Sequence, residues 1–256
     1  MTPNNVFFIG APKCATTTLF TLFRNRKDVF IPEVKETMHF IKDYWKGDEG
    51  YFKTLENKGD KPLLDFQPNH CLYPYVPERI KRTLGEFKSV LIVRDPIERA
   101  YSELCHFNNM RPGRGHPDFD FAMEWNMDNY DPNLFDYEGD YMMQADPRGG
   151  CYRPNFIENG AYINHINRFG IKNTIVMNYD SLIAHKMDSA NHLCELLDME
   201  PFGKGTMFPW RNKQTDDGAF KPSTVKKMRE FYKPLNDSLS ALVGADFEEI
   251  WYGDEE

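Results

Sequence analysis

Val6-Phe7-Phe8-Ile9-Gly10-Ala11-Pro12-Lys13-Cys14-Ala15-Thr16-Thr17-Thr18 is the stretch on which the fold turns. Four consecutive apolar residues ended by Gly10 predict a short strand buried on both faces, the habit of parallel sheets. From Thr16 to Phe23 the apolar residues fall at helical spacing, so strand, loop and helix follow one another. The N–H groups at a helix N-terminus point outward and carry partial positive charge. Threonine hydroxyls add donors and Lys13 adds a full charge, a combination suited to phosphate or sulfate. A Walker loop reads G-x-x-x-x-G-K-[ST]. Here Ala15 and Thr16 occupy the places of its second glycine and its lysine, and the lysine stands three places earlier. The plainer alternative is a strand-to-helix turn carrying a surface lysine.

A second strand-to-helix passage reads Val90-Leu91-Ile92-Val93-Arg94-Asp95-Pro96-Ile97-Glu98-Arg99-Ala100-Tyr101-Ser102. Arg94 ends the strand. Asp95 fits an N-cap with Pro96 in the first turn, opening a helix to about residue 107. Ser102 falls two turns along it. An arginine fork with a hydroxyl can hold a phosphate separate from the first. The alternative for Arg94 is an ion pair with Asp95 or a structural arginine, and Arg99 reads as a fold-supporting or surface charge.

Further strands are expected at 63–66 and 174–177, and helices at 76–84, 156–169, 188–197 and 223–243, the last kinked at Pro234. Strands alternating with helices predict one α/β domain over residues 1–256, a central parallel sheet covered by helices on both faces. In such sheets ligands sit at the carboxyl ends of the strands, where both motifs fall. Between 106 and 154 the pattern breaks into a stretch rich in Asp, Glu, Met, Tyr and Phe. It is too long for an ordinary connection and reads as a lid or substrate-binding excursion, with a small surface subdomain as the alternative.

The chain of 256 residues contains no apolar run of about 18 residues and no basic N-terminal region. The five cysteines, Cys14, Cys71, Cys105, Cys151 and Cys194, are scattered and show no C-x-x-C spacing. Reduced thiols in a cytoplasmic protein, away from membranes and without a signal peptide, are expected. A formal net charge of −8 argues against nucleic acid or a sulfated polysaccharide as partner, while allowing a local basic pocket for one small anion.

Together the two motifs resemble those of the sulfotransferases that use 3′-phosphoadenosine 5′-phosphosulfate (PAPS). The first is similar to their 5′-phosphosulfate loop, K-x-G-T-T, and the second to their 3′-phosphate motif, R-D-P-x-x-R-A-x-S. The resemblance is closest to the branch that includes the heparan sulfate sulfotransferases. Pro32-Glu33-Val34-Lys35-Glu36-Thr37-Met38-His39-Phe40 resembles its K-E-x-x-F-F region, and Arg229-Glu230-Phe231-Tyr232-Lys233-Pro234-Leu235-Asn236 its L-R-x-F-Y-x-P-x-N helix. Gly160-Ala161-Tyr162 and Asn178-Tyr179-Asp180-Ser181-Leu182 resemble later signatures, so the likeness runs with gaps from Val6 to Trp251. There are departures. Cys14 and Ala15 stand at small, glycine-like positions of the loop. Phe66 replaces a lysine that faces sugar chains, and the paired cysteines and lysine-rich loop near the end are absent. These differences and the acidic balance argue against a glycosaminoglycan substrate.

The resemblance implies a P-loop-like sulfotransferase fold and transfer of a sulfuryl group from PAPS to a hydroxyl, leaving 3′-phosphoadenosine 5′-phosphate (PAP). It implies cofactor contacts from Lys13, Cys14, Ala15, Thr16, Thr17, Thr18, Arg94 and Ser102, with Lys221 in the place of the later loop. Lys13 and the loop N–H groups would stabilise charge on the leaving phosphate, and no metal is demanded. Glu36 falls where the branch carries its carboxylate and is the candidate general base, with His39 and His70 as rivals. Tyr152 and Arg153 are candidates to border the adenosine or the acceptor. The acceptor is expected to be a small hydroxylated metabolite or natural product. It is expected to be cationic if Asp118, Asp120, Glu124, Asp128, Asp131, Asp136, Glu138, Asp140 and Asp146 form a site with the neighbouring aromatic rings. A P-loop kinase and a catalytically silent nucleotide-binding module are the competing readings, and the displaced lysine speaks against the kinase.

Overall fold

The computed structural model describes residues 5–110, 118–131, 144–145, 151–152, 155–209 and 220–253. In chain order the elements are β1 (Asn5–Gly10), α1 (Thr16–Phe23), α2 (Glu49–Thr54), β2 (Leu63–Phe66), α3 (Val76–Leu84), β3 (Lys88–Val93), α4 (Pro96–Met110), α5 (Phe119–Asp128), β4 (Gln144–Ala145), β5 (Cys151–Tyr152), α6 (Asn155–Glu158), α7 (Tyr162–Phe169), β6 (Thr174–Asn178), α8 (Tyr179–Leu196), α9 (Pro222–Val243) and α10 (Phe247–Tyr252). Short 3-10 turns, among them Pro68–Leu72, lie between them. The described residues fall into two compact units, within Met1–Val93 plus Arg168–Lys213 and within Arg94–Asn167 plus Gln214–Glu256.

The first unit holds a four-stranded sheet of order β2-β1-β3-β6, parallel throughout. Parallel neighbours need crossovers, which α1 and α2 supply between β1 and β2, and α3 between β2 and β3. Phe8 and Phe66 meet on one face as a stacked pair at 3.9 Å, and Phe20 and Phe23 of α1 close over Phe66. On the other face Phe7 packs edge-on against Phe40 and Phe87. Each such ring taken from water contributes about 1.5–3 kcal/mol, which is why the strands are nearly continuous apolar runs. A charged exception is Asp65, 1% exposed in β2. The Tyr51 hydroxyl donates to it at 2.8 Å. Burial pushes the Asp65 carboxyl up from its ordinary 3.8 to about 6.

The second unit is mostly helical. Its core gathers Leu104 of α4, Met123 of α5, Ile157 of α6, and Met228 and Tyr232 of α9. Gly160 shows why one expected helix became two. A Cβ there would lie 2.5 Å from the Tyr232 ring and 2.8 Å from Pro96. The chain turns instead, with Gly160 N–H on the Ile157 carbonyl and Ala161 N–H on that of Glu158, both at 2.8 Å. The predicted helix 156–169 is therefore α6 and α7. The predicted helix 188–197 is likewise corrected. It begins at Tyr179, directly after β6, and carries a break at Lys186 (φ 37°, ψ −99°). α9 runs through Pro234, whose missing N–H leaves the carbonyl one turn back without its usual donor.

Within the 106–154 segment, α4 continues to Met110 and α5 packs on α9. Phe119 meets Tyr101 edge-on at 5.4 Å, and Tyr130 meets Phe231 at 5.3 Å. Asp118 caps α5 through the Phe121 N–H. Lys221 lies 3.5 Å from Asp120 and Lys227 3.0 Å from Glu124, so these two carboxylates already face ammonium groups. Asp136, Glu138, Asp140, Asp146 and Arg153, named above as candidates to border the acceptor or the adenosine, lie outside the described residues.

Candidate active site

The loop after β1 is pressed between neighbours. Ala11 N–H donates to the Ile92 carbonyl of β3 at 3.1 Å. A Cβ on Gly10 would lie 2.6 Å from the Cys71 sulfur and 3.1 Å from the Pro68 carbonyl, so only glycine fits. Lys13 (φ 67°) and Ala15 (φ 60°) are both left-handed, a conformation that costs a residue other than glycine about 1–2 kcal/mol. Alternating right- and left-handed residues turn successive N–H groups toward one concave side, a shape that binds anions. Ala15 is the N-cap of α1 and has no side-chain oxygen to accept from the first-turn N–H groups, so no side chain caps this helix among the described residues. The N–H groups of its first turn, Thr16 to Thr18, have no carbonyl partner within the helix, as at any helix N-terminus. Cys14 is buried and its thiol faces the Pro12 carbonyl at 3.6 Å.

One residue that the sequence reading did not single out joins this loop to Glu36. The Lys35 ammonium pairs with the Glu36 carboxylate and donates to the Thr17 hydroxyl at 3.3 Å. Glu36 (φ 64°) and Met38 (φ 57°) are both left-handed, and that double bend aims adjacent side chains along unusual directions. Two adjacent charges of opposite sign, Lys35-Glu36, were the available signal. Their shared partner on α1 is not visible in the linear chain.

The two histidines sit differently. His39 is buried, stacked on Tyr51 at 4.9 Å, with Nε2 2.9 Å from the Asp48 carboxylate. Asp48 also accepts from the Thr83 hydroxyl at 3.1 Å, which makes His39 part of a structural network. His70 is buried between the rings of Phe7 and Phe40, at 5.9 and 5.8 Å. Burial, aided by His39, lowers its pKa to about 3 and keeps the ring neutral. Among the described residues neither ring nitrogen of His70 has a hydrogen-bond partner.

In the second unit Arg94 is held from two sides. Its guanidinium lies 3.0 Å from Glu98, and the Tyr162 hydroxyl donates to its carbonyl at 2.6 Å while accepting from its N–H at 3.1 Å. Ser102 follows Glu98 by one helical turn on α4 and is buried. Asp95 accepts from the Ile97 N–H at 2.8 Å, the N-cap bond expected of it, and from the Tyr252 hydroxyl at 3.0 Å. Burial nonetheless raises the Asp95 carboxyl to about 6. Arg99 is fully buried, 4.0 Å from Glu103, which makes it a fold-supporting charge. Lys221 is the N-cap residue of α9. Its N–H donates to Asp120 at 2.8 Å and its ammonium group is largely exposed beside Asp118 and Asp120.

No protein-family model matches the chain. Among curated proteins it is 26% identical over 155 residues to the membrane-associated sulfotransferase kil1 of Dictyostelium discoideum, covering 58% of this chain and 30% of that protein. It is 22% identical over 269 aligned residues to human heparan sulfate glucosamine 3-O-sulfotransferase 3B1, covering 93% of this chain and 63% of that one. The chain thus spans less than two thirds of the length of these relatives. Among solved structures, a sulfotransferase from Alicyclobacillus acidocaldarius superposes with a TM-score of 0.68 at 16% identity, over 96% of this chain and 98% of that one. Mouse sulfotransferase SULT7A1, solved with PAP, superposes with a TM-score of 0.60 at 16% identity, over 94% and 87%. Among the described residues, no helix is long and apolar enough to cross a membrane. The chain has the sulfotransferase fold, and its likeness in sequence to sulfotransferases, heparan sulfate 3-O-sulfotransferases among them, bears out the resemblance of its motifs.

Proposed function

We propose that the protein is a PAPS-dependent sulfotransferase acting on a hydroxyl group of a small molecule. The observation that carries this reading is Lys35, which ties the Glu36 carboxylate to Thr17 in the first turn of α1. A base is thereby tethered beside an anion-binding helix N-terminus, the pairing that transfer to a hydroxyl needs.

Taken separately, each motif suits one anionic group of the nucleotide. In the first unit the left-handed loop at Lys13 and Ala15 and the first turn of α1 offer a cradle for a phosphosulfate, and in the second unit Arg94 and Ser102 offer a fork and a hydroxyl for a phosphate. When bound, PAPS supplies the sulfuryl group. Lys13 and the N–H groups of residues 16–18 place positive charge where the departing phosphate oxygen becomes negative. Glu36 takes the proton of the acceptor hydroxyl at a carboxylate oxygen, and Lys35 orients it. Glu36 is preferred over the histidines because His39 is committed to Asp48 and the low pKa of His70 makes it a weak base. Lys221 is a weaker candidate for the cofactor than for its place beside Asp118 and Asp120.

The acceptor is read as a small hydroxylated metabolite bordered by residues 106–154, with long polyanions disfavoured by the net charge of −8. Since lysines already face Asp120 and Glu124, a preference for a cationic acceptor rests on the remaining carboxylates of that segment. A cytoplasmic setting agrees with the scattered cysteines, which show no C-x-x-C spacing.

Calorimetry tests the nucleotide and labelled PAPS the reaction. PAP should bind without divalent metal and at least tenfold more tightly than AMP, and a panel of hydroxylated metabolites should yield a labelled product. Tight ATP binding that requires magnesium would instead support the kinase reading, and PAP binding without turnover on any acceptor the silent module.

A further inference from the structure

We infer that Tyr162 and Tyr252 are positioning residues that preset Arg94 for a phosphate, a role that rests on the nucleotide reading above. Residues 94 and 95 form the corner between β3 and α4. Such a corner has few neighbours of its own, and an arginine carried on it would lose side-chain and backbone freedom on binding, at a cost to affinity. Here that freedom is already removed. The Tyr162 hydroxyl, on a ring 1% exposed, both accepts from the Arg94 N–H and donates to the Arg94 carbonyl. One side-chain oxygen therefore serves the backbone donor and the backbone acceptor of a single residue, a function usually performed by a neighbouring strand. Tyr252 fixes the next residue, its hydroxyl donating to the same Asp95 oxygen that caps the Ile97 N–H. Its own ring is held in turn, with the Arg229 guanidinium 4.6 Å from the ring centre.

The arrangement has a directional logic. Tyr162 opens α7 and Tyr252 closes α10, so two elements remote in sequence grip one corner. Neither hydroxyl points to a charge that it neutralises on Arg94. The guanidinium also lies 3.0 Å from Glu98, whose side chain is 66% exposed, so an incoming phosphate can take the place of a solvated carboxylate there. The fixed backbone and the displaceable side-chain partner together describe an arginine that exchanges one anion for another without rebuilding its corner.

The test compares PAP with AMP, which lacks the 3′-phosphate, by calorimetry on the full chain. Tyr252→Phe should weaken PAP about threefold to tenfold and leave AMP within twofold, with a melting temperature close to wild type. Arg94→Ala should abolish the preference for PAP over AMP, and adding Tyr252→Phe to it should cost nothing further, since the tyrosine acts through the arginine. Tyr162→Phe, which removes both backbone bonds, should show the same selective loss, measured well below its melting temperature. Unchanged PAP affinity in both single variants, equal losses for PAP and AMP, or an additive effect with Arg94→Ala would overturn the inference. A wild-type protein with no preference for PAP would overturn the nucleotide reading and this one with it, whereas a preserved preference insensitive to both tyrosines overturns this one alone.

Discussion

Asp65→Asn should change how stability depends on pH, and the size of the change follows from the structure. Asp65 is 1% exposed in β2 and accepts from Tyr51, and burial raises its carboxyl from 3.8 to about 6. A carboxyl with a raised folded pKa favours the native state while it is protonated. That contribution is complete below the unfolded value of 3.8 and is lost as pH rises through about 6. A shift of about two units at about 1.4 kcal/mol per unit makes the loss about 3 kcal/mol. Asparagine keeps an oxygen for the Tyr51 hydroxyl and cannot ionise. Urea unfolding followed by the fluorescence of the four tryptophans, from pH 4 to pH 7.5, gives both stability curves. The advantage of the variant over wild type should grow by about 3 kcal/mol across that range, mostly between pH 4 and 6. Asp95, also raised to about 6, contributes the same slope to both proteins and cancels in the difference. Parallel curves would refute the account, because they would mean that Asp65 titrates alike in the folded and unfolded chains.

Three further outcomes are expected. Lys13→Ala should lower turnover about 100- to 1,000-fold while PAP affinity changes only a fewfold, because its charge acts on the departing group; a raised apparent constant for PAPS at full turnover would reassign it to binding. Glu36→Gln should retain the melting temperature and PAP affinity and lose about 100-fold or more in rate, and near-normal rates would move the proton to another group. Ala15→Gly should stabilise the fold by about 1 kcal/mol in chemical denaturation, since φ at that residue is 60°, and a loss of stability would show that the left-handed turn is not strained.

The chain by itself determined the parallel sheet and the place of both candidate anion motifs. Val6–Ile9 and Leu91–Val93 are apolar runs that only a strand buried on two faces accommodates, and the helices that follow them begin where Thr16 and Asp95-Pro96 predict. These are local signals, read within a few residues by periodicity and turn chemistry. What only the tertiary structure decided depends on residues far apart in sequence. Lys35 meets Thr17 across 18 positions and Tyr252 meets Asp95 across 157, and neither contact leaves a periodic trace. The split of the expected helix at Gly160 has the same origin, since the ring that excludes a side chain there belongs to Tyr232 of α9. The histidines follow suit. His39 and His70 read alike as candidate bases in the chain, and the fold pairs one with Asp48 and surrounds the other with Phe7 and Phe40. Charge, polarity and spacing are written along the chain, but whether a titratable group meets a partner, a ring or water depends on which distant surface packs against it.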